Sequence, residues 1–109
     1  MADALKVLGQ LFPSATTLTA LYTVPAVTQT TASSIIICNQ SSTPTTFRVS
    51  VAIAGAGDAS QQYLYYDLAI AGNDTFIATI GISLATTDVI NVYAGAATLS
   101  FNLFGVELT

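Results

Sequence analysis

The chain has 109 residues, 52% of them hydrophobic and 7% charged, with a net charge of −4. That length holds one domain, and the only basic residues, Lys6 and Arg48, give no electrostatic footprint for DNA or RNA. Histidine is absent, which excludes His-based triads and most transition-metal sites, while Thr, Ser, Asn or Gln breaks every apolar run well short of the ~18 residues that read as a membrane span.

Sixteen threonines favour strands over helices, because β-branched side chains keep more freedom on a pleated surface. Residues 1–15 read as an N-terminal arm or edge strand. Leu5, Leu8 and Leu11 have helical spacing, but Gly9 and Pro13 interrupt so short a helix. Asp3 stands where the positive region of a secretion signal belongs, so no such signal is expected. Residues 16–109 then read as a single β-sandwich domain. Thr16 to Val24 is the first clear strand, ended by Pro25. Val27 to Thr31 is a loop or weak edge, and Ser33 to Cys38 is a short apolar strand with both faces covered. Asn39 to Pro44 supplies turn chemistry.

Thr46 to Ala54 alternates clearly, with Phe47, Val49, Val51 and Ile53 on one face. After a loop of small residues, Gln62 to Ile70 sets Leu64, Tyr66, Leu68 and Ile70 against Tyr63, Tyr65, Asp67 and Ala69. Leu68 to Asp74 is echoed fourteen residues on by Ile82 to Asp88, each time an apolar run, a corner and an Asp followed by a β-rich run. This repeat predicts an antiparallel meander with Phe76, Ala78, Ile80 and Ile82 inward. In the last strand, Thr98 to Leu108, the inward phase is expected to pass from Leu99, Phe101 and Leu103 to Phe104, Val106 and Leu108 through a bulge at Gly105. The fold class is all-β: an antiparallel β-sandwich or jelly-roll-like module with an N-terminal arm.

No catalytic or metal-binding set emerges, and no cofactor is expected. Asp74 and Asp88 sit at strand starts, where Asx-type turns account for them, and Asp58, Asp74 and Asp88 lack the spacing of an EF-hand loop. The stretch from Gly55 to Ser60 has two glycines of a dinucleotide fingerprint, but a strand rather than a helix follows it. Asn39-Gln40-Ser41 and Asn73-Asp74-Thr75 match glycosylation acceptors and read as turns. Cys38 reads as a small core hydrophobe. Tyr63, Tyr65 and Asp67 lie on one face of a regular strand, which suits ordinary packing, a subunit interface or a sugar ligand stacked on the rings. Low charge leaves the surface weakly defended against association, so an assembly subunit is expected.

Lys6-Val7-Leu8-Gly9-Gln10, Leu21-Tyr22-Thr23-Val24-Pro25, Cys38-Asn39-Gln40-Ser41, Tyr65-Tyr66-Asp67-Leu68, Asn73-Asp74-Thr75 and Leu99-Ser100-Phe101-Asn102-Leu103-Phe104-Gly105 span nearly the whole chain. Through them the sequence resembles a family of small virion-associated structural proteins of tailed bacteriophages, departing from it at Ala26 to Thr31, where the turn has no Gly. The resemblance implies a virion protein without enzymatic activity, assembled in the bacterial host cytoplasm. The expected role is capsid cement or decoration, as a homotrimer on the major capsid protein or another virion protein. A tail, collar or baseplate module that binds another virion protein or a host glycan is the alternative. Leu5, Val7, Leu8, Leu11 and Phe12 of the arm, with Tyr63 and Tyr65, are the expected interface residues. Tyr63, Tyr65 and Asp67 are the expected ligand site. No membrane or nucleic-acid partner is expected.

Overall fold

A computed structural model describes residues 2–109; Met1, the first residue of the expected arm, lies outside the described residues. Among the described residues, nine strands form two antiparallel sheets packed as a β-sandwich. They are β1 (Asp3–Leu11), β2 (Thr19–Thr23), β3 (Gln29–Asn39), β4 (Thr45–Ala52), β5 (Tyr63–Ile70), β6 (Thr75–Ala78), β7 (Ile82–Leu84), β8 (Val89–Ala94) and β9 (Leu99–Leu108). One sheet runs β1-β9-β3-β6, with β7 also paired to β3, and the other runs β2-β8-β4-β5. The N-terminal segment is thus a true edge strand, hydrogen-bonded to β9.

The core lies between the sheets, where Phe47 stands with its ring centroid 5.1 Å from Phe76 and 6.5 Å from Phe101. Ile35, Ile37, Val49, Ile90, Val92, Leu99 and Leu103 are among its fully buried apolar residues. Alternation in β3, β4, β8 and β9 delivers these side chains to one face. Phe76, Ala78, Ile80 and Ile82 pack against that core as expected.

The expected meander does not form. β5 and β8 belong to one sheet, β6 and β7 to the other, so each Asp corner carries the chain across the sandwich. The corners are held by loops they meet rather than by a hairpin partner. Asn73 N–H donates to Ser41 O at 2.8 Å, and Asp74 O accepts from Asn39 N–H at 2.9 Å. At the second corner, Asp88 O accepts from Val24 N–H at 2.9 Å and Thr87 N–H donates to Val24 O at 3.1 Å. Asn73 (φ 54°) and Thr87 (φ 70°) adopt the left-handed conformation that makes the sharp turn. The single strand expected from Thr75 to Ile82 is two, separated at Gly81 (φ 53°).

β9 keeps one phase throughout. The bulges lie in the strands on either side of it, at Leu8 in β1 and Ser33 in β3. Phe104 and Val106, expected inward, therefore face outward, and Gly105 and Glu107 share the inward face with Leu103. Gly105 meets a close approach instead of a bulge: a Cβ there would lie 2.2 Å from Thr31 O. Ile53, expected inward, is 75% exposed, because β4 ends at Ala52 and the chain turns away through Ala54 (φ 53°) and Gly55 (φ 71°).

Candidate functional site

The inward phase of β9 brings a carboxylate between the sheets. Glu107, its side chain 12% exposed, accepts from Tyr22 OH at 2.6 Å and from Lys6 Nζ at 3.1 Å. Tyr22 OH also lies 2.7 Å from Thr30 Oγ1. These two donors hold the Glu107 carboxyl below its ordinary value, Tyr22 contributing most. Burial, reinforced by the adjacent carboxylate, pushes the Tyr22 phenol up to about 12. Lys6 on β1, Glu107 on β9 and Tyr22 on β2 thus tie the sheets together at one end. The cluster has acceptors and donors matched to one another and no free base, so it acts as a structural tie.

On the second sheet, Arg48 of β4 is the centre of an aromatic group. Its guanidinium carbon lies 4.2 Å from the ring centroids of both Tyr66 and Tyr93, and its Nε donates to Asp67 Oδ1 at 2.6 Å. Cation–π contact and the ion pair fix a planar guanidinium that a lysine would not reproduce. Tyr63 packs edge-on against Tyr66, centroids 5.0 Å apart, and donates to Asp58 Oδ1 at 2.8 Å. Burial and the Asp58 carboxylate raise its pKa.

The expected ligand face of Tyr63, Tyr65 and Asp67 is not assembled. Two irregularities in the β4–β5 register place Tyr63 opposite Ser50 and Tyr65 opposite Val49, on successive positions of β4 and so on opposite faces. Tyr65 packs on Phe47 and Phe76 at the core. Asp67 (φ 52°) is committed to Arg48. The arm residues also divide: Leu5, Val7 and Phe12 are exposed, whereas Leu8 and Leu11 are half-buried and pack against the core.

The outer face of the five-stranded sheet differs from all of this. Register aligns Leu5 with Val106, Thr31 and Ser83 in one row across it, and Val7 with Phe104 and Ser34 in the next. Gln10, Asn102, Ile36 and Ile77 form a third row, and Ser100, Cys38 and Thr75 a fourth. No side chain in these four rows carries a charge, while the next row on the same face, Asp3, Leu108 and Gln29, begins with a carboxylate. Leu5 is 84% exposed, Ile77 66% and Val7 45%, with Ile36, Phe104 and Val106 half-buried between them. Strand spacing of about 4.8 Å and a rise of about 3.4 Å per residue give these rows a flat footprint of roughly 460 Å². That is a little over half of the ~800 Å² per partner of a standard protein interface.

This face was not legible because Ser33 to Cys38 was expected to have both faces covered and the last strand to switch phase. Both strands carry apolar side chains in both phases: Ile35 and Ile37 are buried inward while Ile36 lies outward, and Phe101 and Leu103 are buried while Phe104 and Val106 lie outward. Such strands have both faces covered in doubly packed sheets. Here the second cover is not part of the chain's described residues.

Cys38 lies on this outer face, half-buried, rather than in the core. Asn39 is buried, its amide donating to Thr43 O and Ala71 O while Ser41 N–H and Thr98 Oγ1 donate to its carbonyl, as a turn residue. Asp88 caps its own corner, accepting from Ala85 N–H and Ala54 N–H, both at 2.9 Å. Among the described residues there is no group of three or more His, Cys, Asp or Glu arranged to hold a metal ion, and no helix long and apolar enough to cross a membrane. No protein-family model, curated protein or solved structure matches the chain.

Proposed function

We propose that this chain is a non-enzymatic structural subunit of a tailed-phage particle, a capsid cement or decoration protein. The observation that carries the reading is the patch of Leu5, Val7, Ile36, Ile77, Phe104 and Val106 set among uncharged polar residues on the outer face of the five-stranded sheet. A cluster of exposed large apolar side chains on a small β-sandwich marks a protein contact. Such a face works by shape and burial, and many modest contacts repeated by symmetry become strong through avidity. The phage context rests on the sequence resemblance, which also motivates a homotrimer seated on the major capsid protein.

The group of Tyr63, Tyr66 and Arg48 motivates a second reading, a tail or collar module that stacks a host glycan on Tyr66, which is largely exposed. Gold-labelled antibody on intact particles of the encoding phage separates the two. Label spread over the head supports cementing, and label confined to the tail favours the glycan reading. A particle that carries no label overturns both.

A further inference from the structure

We propose that the hollow between Tyr63 and Tyr66 binds a neutral hexose, on the face of the molecule opposite the proposed attachment face. The inference rests on the second reading above, that Tyr66 stacks a glycan, and names the class of sugar. It does not depend on whether the chain sits on a head or a tail.

The irregular β4–β5 pairing builds the site. Its register irregularities put Tyr63 and Tyr66, three residues apart, side by side on the outer face of the four-stranded sheet, where a regular strand would set them on opposite faces. Their rings meet at 89° and, with Ser60, line a hollow of about 400 Å³, within the ~300–1,000 Å³ of small-molecule sites. Tyr66 is 60% exposed, yet its ring is held in place, because the Arg48 guanidinium lies 4.2 Å from its centroid and is anchored on Asp67. Such a ring offers the C–H face of a sugar rigid contact area at low entropic cost.

The polar groups around the rings suit hydroxyls. Asp58 Oδ1 accepts from Tyr63 OH at 2.8 Å, which leaves Oδ2 to accept from a ligand hydroxyl, and the Ser60 hydroxyl both donates and accepts. Charge then selects among ligands. Arg48, the cation of the group, is already paired with Asp67, so Asp58 leaves the hollow negative and disfavours an acidic sugar. A cationic ligand would meet Arg48 on the ring that it needs. The outer faces of the two sheets point in opposite directions, so a chain attached by the five-stranded sheet holds this hollow towards solvent.

The test is a titration of the full-length, isotope-labelled chain, followed by backbone amide NMR shifts. Glucose, galactose and N-acetylglucosamine are the neutral probes, glucuronate the acidic one and choline the cationic one. The inference predicts saturable shifts at Ser60, Tyr63 and Tyr66 with at least one neutral sugar, at a Kd of about 1–10 mM for a ligand of this size. Glucuronate is expected to bind at least about tenfold more weakly. Tyr66→Ala is expected to weaken binding at least about tenfold and Tyr66→Phe, which keeps the ring, to retain it. The wild-type shifts locate the site without either variant. Glucuronate bound through the same amides as tightly as any neutral sugar overturns the inference and leaves the glycan reading standing. Choline bound in place of the sugars overturns both, as does the absence of saturable shifts with all four sugars at about 100 mM. Sugar binding that Tyr66→Ala leaves unchanged, or shifts confined to another part of the chain, overturns the site.

Discussion

Tyr22→Phe removes one hydroxyl and tests whether Glu107 faces the interior. In the native chain that hydroxyl donates to Glu107 Oε2 at 2.6 Å, with the carboxylate 12% exposed. A hydrogen bond to a charged, mostly buried acceptor contributes about 1.5–3 kcal/mol, so the variant is expected to lose about 2 kcal/mol. That is a large part of the ~5–15 kcal/mol by which a domain of this kind is stable. In thermal unfolding it corresponds to a drop of about 8 °C or more. The loss depends on pH in a defined direction. Folding lowers the Glu107 pKa from 4.5, so its contribution is complete above that value and disappears as pH falls through the folded-state value. The deficit of Tyr22→Phe is therefore largest near neutrality and narrows in acid. Paired urea titrations of both chains at about pH 7 and about pH 3 measure it. A deficit below about 0.5 kcal/mol at neutrality would refute the inward placement of Glu107.

Further predictions concern other parts of the molecule. Folding raises the Tyr22 pKa from 10.0 to about 12, so the contribution of this group to stability is expected to be complete below pH 10 and to fall as pH rises from 10 towards 12, read by circular dichroism. Gly105→Ala places a methyl 2.2 Å from Thr31 O and is expected to cost about 1–3 kcal/mol in denaturant titration, although Gly105 lies in a strand where alanine is normally the better residue. Val106→Lys puts a charge on the outer face; stability is expected to change by less than about 1 kcal/mol, while association with the particle is lost in a sedimentation binding assay. Arg48→Lys keeps the charge but not the planar stack between Tyr66 and Tyr93, and near-ultraviolet circular dichroism is expected to show altered tyrosine signals with the fold intact.

Much of the inner architecture was legible because alternation is a local property. Phe47, Val49, Phe101 and Leu103 could be placed inward from period two alone, and the all-β class followed from strand chemistry and turn residues. Sheet membership was not legible. The two Asp corners look like hairpin turns in sequence, and only their hydrogen bonds to Ser41, Asn39 and Val24 show that they cross between sheets. Bulges were the second obstacle. A bulge at Leu8 or Ser33 shifts register without a glycine to mark it, and the irregularities near Leu64 and Tyr66 divide Tyr63 from Tyr65. The glycine that did attract a bulge assignment, Gly105, is required by close backbone approach instead. For the outer face the signal was present in part: the absence of charge between Lys6 and Arg48. Its meaning depended on knowing that β3 lies beside β9, a pairing of residues far apart in sequence.

The central claim is that the outer face of the five-stranded sheet attaches this chain to a particle. The most direct measurement compares the wild-type chain with Val106→Lys on intact particles of the encoding phage, by counting gold label on heads and tails. The account predicts dense label over the heads for the wild type and loss of that label for a variant that remains folded. Label on heads that persists unchanged with Val106→Lys, or wild-type label confined to tails, would contradict it.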